Sequence, residues 1–421
     1  FIFTHIGNNN CMNSYKYLNK FKNTMLVALA LSSVIALISQ GLVYIGEKFN
    51  NASFFDNISN TLISFIPLCF SFFITFYLSD GRKTYKAFFV LFCTFLFYSV
   101  FTQSQSFVFS LLISLLAYYC FKNLNLITGS LLILLCSVIF AVLFTYLYDY
   151  YKNLIMVIST FISNKGNLSS ALFGLINTVL SAFDVSSFSD MFYYKSFGSS
   201  TVIGTNVISG AINLFKNDIS SNSVNMYLSG HSYLIFLLLG AFSFLNTKLK
   251  GFEKFVFIIV FASMFLCGNV NYFLFYVFIE SPYMFFSICV MASLCYFSAA
   301  IIQISSGFIY GGGIFEVLLN SDKYVYLITG SIVFVAIGYF VSKYFYEKYG
   351  VSSCFNIYIP KRLRKTVSSL GGVQNIIRIS NDLIEVRNPK LINEIDLKCE
   401  VKENQIKIDL NKISDLKEYL G

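Results

Sequence analysis

Apolar positions in this chain seldom alternate with polar ones; they run on. Stretches of Phe, Leu, Ile and Val fill residues 25–45, 58–78, 87–101, 107–121 and 126–147. Such runs match the ~20 apolar residues a helix needs to cross a hydrocarbon layer. A run at 154–162 is too short to cross alone and predicts part of a broken helix. Further runs occupy 234–245, 255–267, 272–302 and 325–345, and 272–302 is long enough for a bent or re-entrant pair. Between these groups, 169–190 and 196–232 are rich in Ser, Asn and Gly with apolar residues interleaved. Polar backbone is tolerated at membrane depth only where it is buried in protein or lines a cavity, and carriers place substrate sites in such interrupted segments. The competing expectation is an ordinary extramembrane loop.

The pattern changes after Pro360. Residues 373–379 and 383–386 read as short strands, 400–410 alternates in part through Val401, Ile406 and Ile408, and 413–420 reads as a closing helix. The expected fold class is an all-α polytopic membrane bundle of eight to ten transmembrane helices with a small C-terminal α+β domain. The expected division is an N-terminal segment at 1–24, a membrane domain at 25–350, a basic linker at 351–365 and the α+β unit at 366–421.

Composition sharpens the class. Charged residues make up 12% and hydrophobic ones 56%, against an ordinary charged share of about 25%. A soluble domain of this make-up would lack the polar residues to cover its surface. The net charge of +9 follows from lysines at span ends and predicts no nucleic-acid partner. The ten cysteines are scattered without a CxxC pair, as small core residues of a reducing compartment, with no metal site. The first apolar run, near Met25, has no small-residue cleavage site behind it, which predicts a retained span; Met12 is an alternative start. Lys16, Lys20, Lys22, Arg82, Lys83, Lys86 and Lys122 mark the cytoplasmic loops, and 50–57 and 103–105 carry no Lys or Arg. The positive-inside rule then places the N-terminus in the cytoplasm, and the basic residues of 343–365 place the tail there too.

Five short segments, taken in order, carry a likeness. They are Leu18-Asn19-Lys20-Phe21-Lys22 before the first span; Phe173-Gly174-Leu175-Ile176-Asn177; Cys267-Gly268-Asn269-Val270-Asn271 with Pro282-Tyr283; Ser305-Ser306-Gly307-Phe308 with Gly311-Gly312-Gly313; and, in the tail, Leu370-Gly371-Gly372, Asn375-Ile376, Arg387 and Asn404-Gln405-Ile406. On these residues the chain resembles the glucose-type membrane permeases of the bacterial phosphotransferase system, along most of its length. The resemblance implies a membrane domain that binds and carries a hexose or amino sugar, and a carrier domain whose cysteine passes a phosphoryl group to it. It also implies soluble phosphocarrier proteins as partners, a homodimer in the bacterial inner membrane, and no cofactor.

The resemblance assigns sites residue by residue. The carrier-domain nucleophile falls on Asp382 instead of cysteine, its first arginine on Glu385, and its second on Arg387. Cys399 is about seventeen residues too late to substitute. An aspartate accepts phosphate in other enzymes, but Glu385 beside it repels the incoming group, so the enzymatic standing of the chain is left open. In the membrane domain the signature glutamate falls on Asn271, which keeps a donor and an acceptor without charge; the second acidic position falls on Leu274. The paired histidines fall on Ser186 and Ser187. Gly268 and Asn177 belong to the matched segments. His231 and Glu280 are further substrate-binding candidates, Glu280 because intramembrane acids are costly and usually functional. Three readings stand open: a diverged sugar permease, a non-catalytic sensor or assembly partner built on the same frame, and an unrelated polytopic transporter.

Overall fold

The computed structural model describes residues 11–48, 52–78, 84–102, 106–195, 197, 200–203, 206–217, 219, 221–249, 251–308 and 312–349. In the tail it describes 366–367, 369–371, 375–379, 383–386, 388–389, 392, 400–402 and 405–407. The chain is predominantly helical. Among the described residues, six helical stretches are long and apolar enough to cross a membrane: Thr24–Gly46, Ser53–Phe76, Leu126–Ser163, Val224–Lys248, Pro282–Ile302 and Tyr324–Tyr346. They present large apolar side chains outward, among them Ile127, Leu131, Leu135 and Ile139 on one helix and Val325, Ile328 and Ile332 on another. An apolar exterior on this scale is untenable in water and is the ordinary face of a membrane protein.

In chain order the helices are α1 (Cys11–Lys48), α2 (Ala52–Leu78), α3 (Thr84–Val100), α4 (Phe107–Asn123), α5 (Leu126–Ser163), α6 (Leu168–Ala182) and α7 (Ser187–Tyr193). A β1–β2 hairpin (Ser200–Ile203, Asn206–Ser209) follows, then α8 (Ala211–Lys216), a π-helical turn (Val224–Leu228), α9 (Gly230–Lys248), α10 (Gly251–Cys267), α11 (Val270–Glu280), α12 (Pro282–Ile302), α13 (Ile314–Leu319) and α14 (Tyr324–Tyr349). The predicted spans fall inside these helices with one correction. The expected break at 154–162 does not exist, because α5 runs unbroken for 38 residues. Its polar stretch Asp149–Asn153 contains no Gly or Pro, so nothing stops the backbone hydrogen-bond ladder there. The expected bend within 272–302 is real: Ser281 is extended (φ −155°, ψ 100°), caps α12 through its Oγ, and is followed by Pro282 at the first helical position.

Among the described residues, two hydrophobic clusters organise the bundle. The larger joins α1, α2, α6, α9, α11 and α12, with Tyr233, Tyr276 and Tyr296 fully buried within it. The smaller ties α3, α4 and α5 through Val90, Phe97, Phe101, Ile113 and Ile133. Small residues let the helices approach closely, which matters in a membrane, where packing and not water exclusion drives helix association. On α9, a Cβ at Gly240 would lie 2.1 Å from the Val335 carbonyl oxygen of α14; on α14, one at Gly338 would lie 2.0 Å from that of Leu237.

In the tail, β3 (Ile376–Ile379), β4 (Ile384–Val386), β5 (Glu400–Lys402) and β6 (Gln405–Lys407) pair antiparallel in the order β3-β4-β6-β5. Ile384, Val386 and Ile406 are buried. Asn375 is buried and fully engaged: Nδ2 donates to the Leu370 and Asn388 carbonyls at 2.6 and 3.0 Å, and Oδ1 accepts from the Asn388 N–H at 2.7 Å. The expected closing helix at 413–420 lies outside the described residues.

Candidate functional site

Three helix ends converge on one carboxylate. The first is the C-terminus of α6. Val185 N–H bonds to the Leu180 carbonyl and Asp184 N–H to that of Ser181, at 3.1 and 2.9 Å. This pattern is a Schellman motif, and its left-handed position, usually glycine, is held here by Asp184 (φ 55°). A non-glycine residue there is strained by roughly 1–2 kcal/mol, and such strain is concentrated at functional sites.

The second is the N-terminus of α4. Ser106 caps it, accepting from the Val108 N–H at 3.3 Å, while its own hydroxyl donates to the Phe183 carbonyl at 2.8 Å. That link fixes the end of α6 against the start of α4, so the Phe107 N–H donates to the Asp184 carboxylate. The third is the N-terminus of α11. Gly268 (φ 72°) makes the turn out of α10, and Asn269 caps α11 by accepting from the Asn271 N–H at 3.3 Å. Asn271 then reaches across, its Nδ2 donating to Asp184 Oδ1 at 2.7 Å. Orphan N–H groups and the positive ends of two helices favour an anion here.

Asp184 keeps partial exposure because two clefts meet at it. The larger, about 650 Å³, lies between α4, α5 and α7, within the roughly 300–1,000 Å³ of small-molecule pockets. One wall is aromatic: Phe109 and Phe144 meet edge to face at 5.0 Å, and Tyr148 sits 5.9 Å from Phe101. The opposite wall carries Ser186, Ser187 and Asp190. Ser187 Oγ and Tyr151 Oη share a hydrogen bond of 2.6 Å, and Ser186 Oγ donates to Asp190 Oδ2 at 3.3 Å. The smaller cleft, about 120 Å³, is lined by Ser39, Gln40, Cys267, Asn269 and Tyr272. Ile63 of α2 borders both, and Pro67 one turn later has no N–H to give to the Ile63 carbonyl.

The electrostatics follow from this enclosure. Burial pushes the Asp184 carboxyl up to about 6, and the hydrogen bonds from Asn271 and the Phe107 N–H pull in the opposite direction. Burial also raises Asp190, against the hydrogen bond from Ser186 and the charge of Lys195. No Lys, Arg or His lines either cleft among the described residues.

Of the residues singled out in the sequence, Ser186 and Ser187 line the large cleft; Asn271 lines neither cleft but bonds to the Asp184 carboxylate that borders both, and Gly268 shapes the turn that delivers it. Asn177, Glu280 and His231 line neither cleft. Asn177 is buried on α6, beside Tyr296. Glu280 is buried at the end of α11. His231 is buried with its ring 4.8 Å from that of Phe308. Leu274 is a core residue. Asp382, Arg387 and Cys399 lie outside the described residues. Sequence reasoning missed Asp184, although the argument that singled out Glu280, an acid among apolar neighbours, applies equally to Phe183-Asp184-Val185. No protein-family model and no curated protein matches this chain.

Proposed function

We propose that this protein is a membrane carrier for a hexose or amino sugar, of the phosphotransferase-permease kind, diverged at its phosphoryl-relay residues. One observation carries the reading: Asn271 and the Ser186–Ser187 segment, assigned to one sugar site from separate motifs, meet at Asp184, whose carboxylate Asn271 bonds and which borders the cleft that Ser186 and Ser187 line. Carboxylate and hydroxyl groups beside an aromatic wall suit a sugar, whose hydroxyls need both donors and acceptors and whose C–H faces pack on rings. The broken helices fit as well. At 15 and 11 residues, α6 and α11 are shorter than the ~20 needed to cross and end at the cleft, as discontinuous helices do in carriers. Six long helices with the 17-residue α3 and α4 account for eight crossings. The paired strands of the tail support a small α+β unit behind the bundle, on the same side as the N-terminus.

Asp382 and Glu385, in place of a cysteine and an arginine, favour a second reading, a non-transporting sensor or assembly partner. Uptake of radiolabelled glucose and N-acetylglucosamine into vesicles holding the full chain separates the two. The carrier takes up one of them, with the soluble phosphocarriers present or absent, and loses that uptake on Asn271→Ala. No uptake of either sugar in any condition overturns the carrier reading.

A further inference from the structure

We propose that Asp184 is a reversible proton site opening on the large cleft, and that sugar translocation draws on its proton. The claim rests on the carrier reading of the same cleft. Its geometric basis is the company the carboxylate keeps. Its hydrogen-bond partners, the Asn271 amide and the Phe107 N–H, are neutral donors. Hydrogens aimed at the carboxylate suit an anion or a neutral acid, whereas a bound metal cation requires converging oxygens. Among the described residues no group of three or more His, Cys, Asp or Glu is placed to hold a metal ion.

The titratable and charged groups around Asp184 come from α3, α5, α7, α10 and α11. Tyr98 of α3 and Tyr272 of α11 stand close enough to feel its charge. Cys267, at the end of α10, borders the small cleft. Tyr148 and Tyr151 of α5, with Asp190 of α7, border the large one. The lining residues of α1, α2 and α4 include no titratable group. Lys195 acts on Asp190 and is not among the charges that act on Asp184. A proton is therefore the cation this surrounding admits, and burial, which lifts the carboxyl to about 6, brings the exchange close to neutral pH.

The step balances simply. A proton from cleft water adds to one carboxylate oxygen, and the negative charge disappears; on release the proton returns to water and the charge reappears. In the ionised state Asp184 accepts from the two donors and offers its remaining lone pairs to sugar hydroxyls. In the neutral state one oxygen becomes a donor, and the cleft can close without enclosing an unpaired charge, which is the costly alternative. Closure is thereby linked to protonation.

The test uses the full chain in lipid vesicles and two readouts. Infrared titration should show a protonated-carboxyl stretch that grows as the pH falls through about 6, absent in Asp184→Asn and retained in Glu280→Gln. In vesicles without phosphocarriers, an inward proton gradient of one pH unit should concentrate radiolabelled glucose or N-acetylglucosamine up to about tenfold at one proton per sugar. Asp184→Asn should lose that accumulation. A spectrum unchanged by Asp184→Asn overturns the proton site, and uptake indifferent to the gradient overturns the coupling. If neither sugar enters under any condition, the carrier reading and the coupling fall together, while the proton site still stands or falls on the spectrum.

Discussion

Asn271 and Asp184, 87 positions apart, meet through a 2.7 Å hydrogen bond at the point where α4, α6 and α11 end. Hydrogen bonds to charged groups contribute about 1.5–3 kcal/mol. Asn271→Ala should therefore lower the melting midpoint of the solubilised protein and weaken sugar binding about tenfold or more, read by calorimetry and by uptake. Asn271→Asp should behave differently. Two carboxyls would share the site, one would stay protonated, and the variant should recover stability as the medium is acidified.

The left-handed backbone of Asp184 separates fold from function. Glycine adopts this conformation without strain, a relief of about 1–2 kcal/mol that offsets much of the hydrogen bonding lost with the carboxylate, so Asp184→Gly should melt closer to the parent than Asn271→Ala does, while abolishing sugar uptake. A variant that melts below Asn271→Ala would mean that the carboxylate is needed structurally.

The sign of the pH dependence follows from the direction of the shift. Burial raises the folded-state Asp184 carboxyl to about 6, above its ordinary value of 3.8. Its contribution to stability is then complete below the ordinary value and is lost as the pH rises through about 6. The melting midpoint should fall between pH 5 and pH 7.5 in the parent by more than in Asp184→Asn, and the difference between the two curves isolates this one group.

The α9–α14 contact predicts a packing defect away from the clefts. A side chain at Gly240 or Gly338 would meet the opposing backbone at 2.1 or 2.0 Å, and backbone cannot rotate aside. Gly240→Leu and Gly338→Leu should each cost at least the 1–3 kcal/mol typical of overpacking, seen as loss of the monodisperse peak in size-exclusion chromatography. Gly41, with nothing within 4 Å of its Cβ position, should accept alanine without effect.

In the tail, Asn375→Leu removes three buried hydrogen bonds at once. At about 1 kcal/mol each, the loss approaches the whole stability expected of so small a unit. Amide exchange at Ile384–Val386 should accelerate in the variant.

Most span positions were legible because a helix that crosses lipid must be apolar along its whole length, and α1, α2 and α14 carry that signature without interruption. The continuity of α5 was not: the polar residues near Asp149 lower hydropathy but leave the helical backbone unbroken, and hydropathy was the signal being read. Asn271, Ser186 and Ser187 were legible as motif positions, yet nothing in the sequence set them around a common carboxylate. Asp184 offered only the cue of an acid among apolar neighbours, and its role depends on a left-handed turn and on donors from α4 and α11 that only the folded chain supplies. His231 and Glu280 attracted notice for their chemistry and then proved to line neither cleft, because a rare residue type carries no information about direction.

The ends of α11 have a mechanical consequence. The helix is a short rod with non-helical residues at each end, Gly268 and Asn269 on one side and Ser281 on the other, and a side-chain cap beside each joint. Any swing of the rod must be absorbed at those joints, because its own ladder resists bending. Its lever arm ends at Asn271, so a few degrees of rotation about Ser281 is enough to carry the amide out of reach of its partner. The latch and the hinge are thus opposite ends of one eleven-residue element.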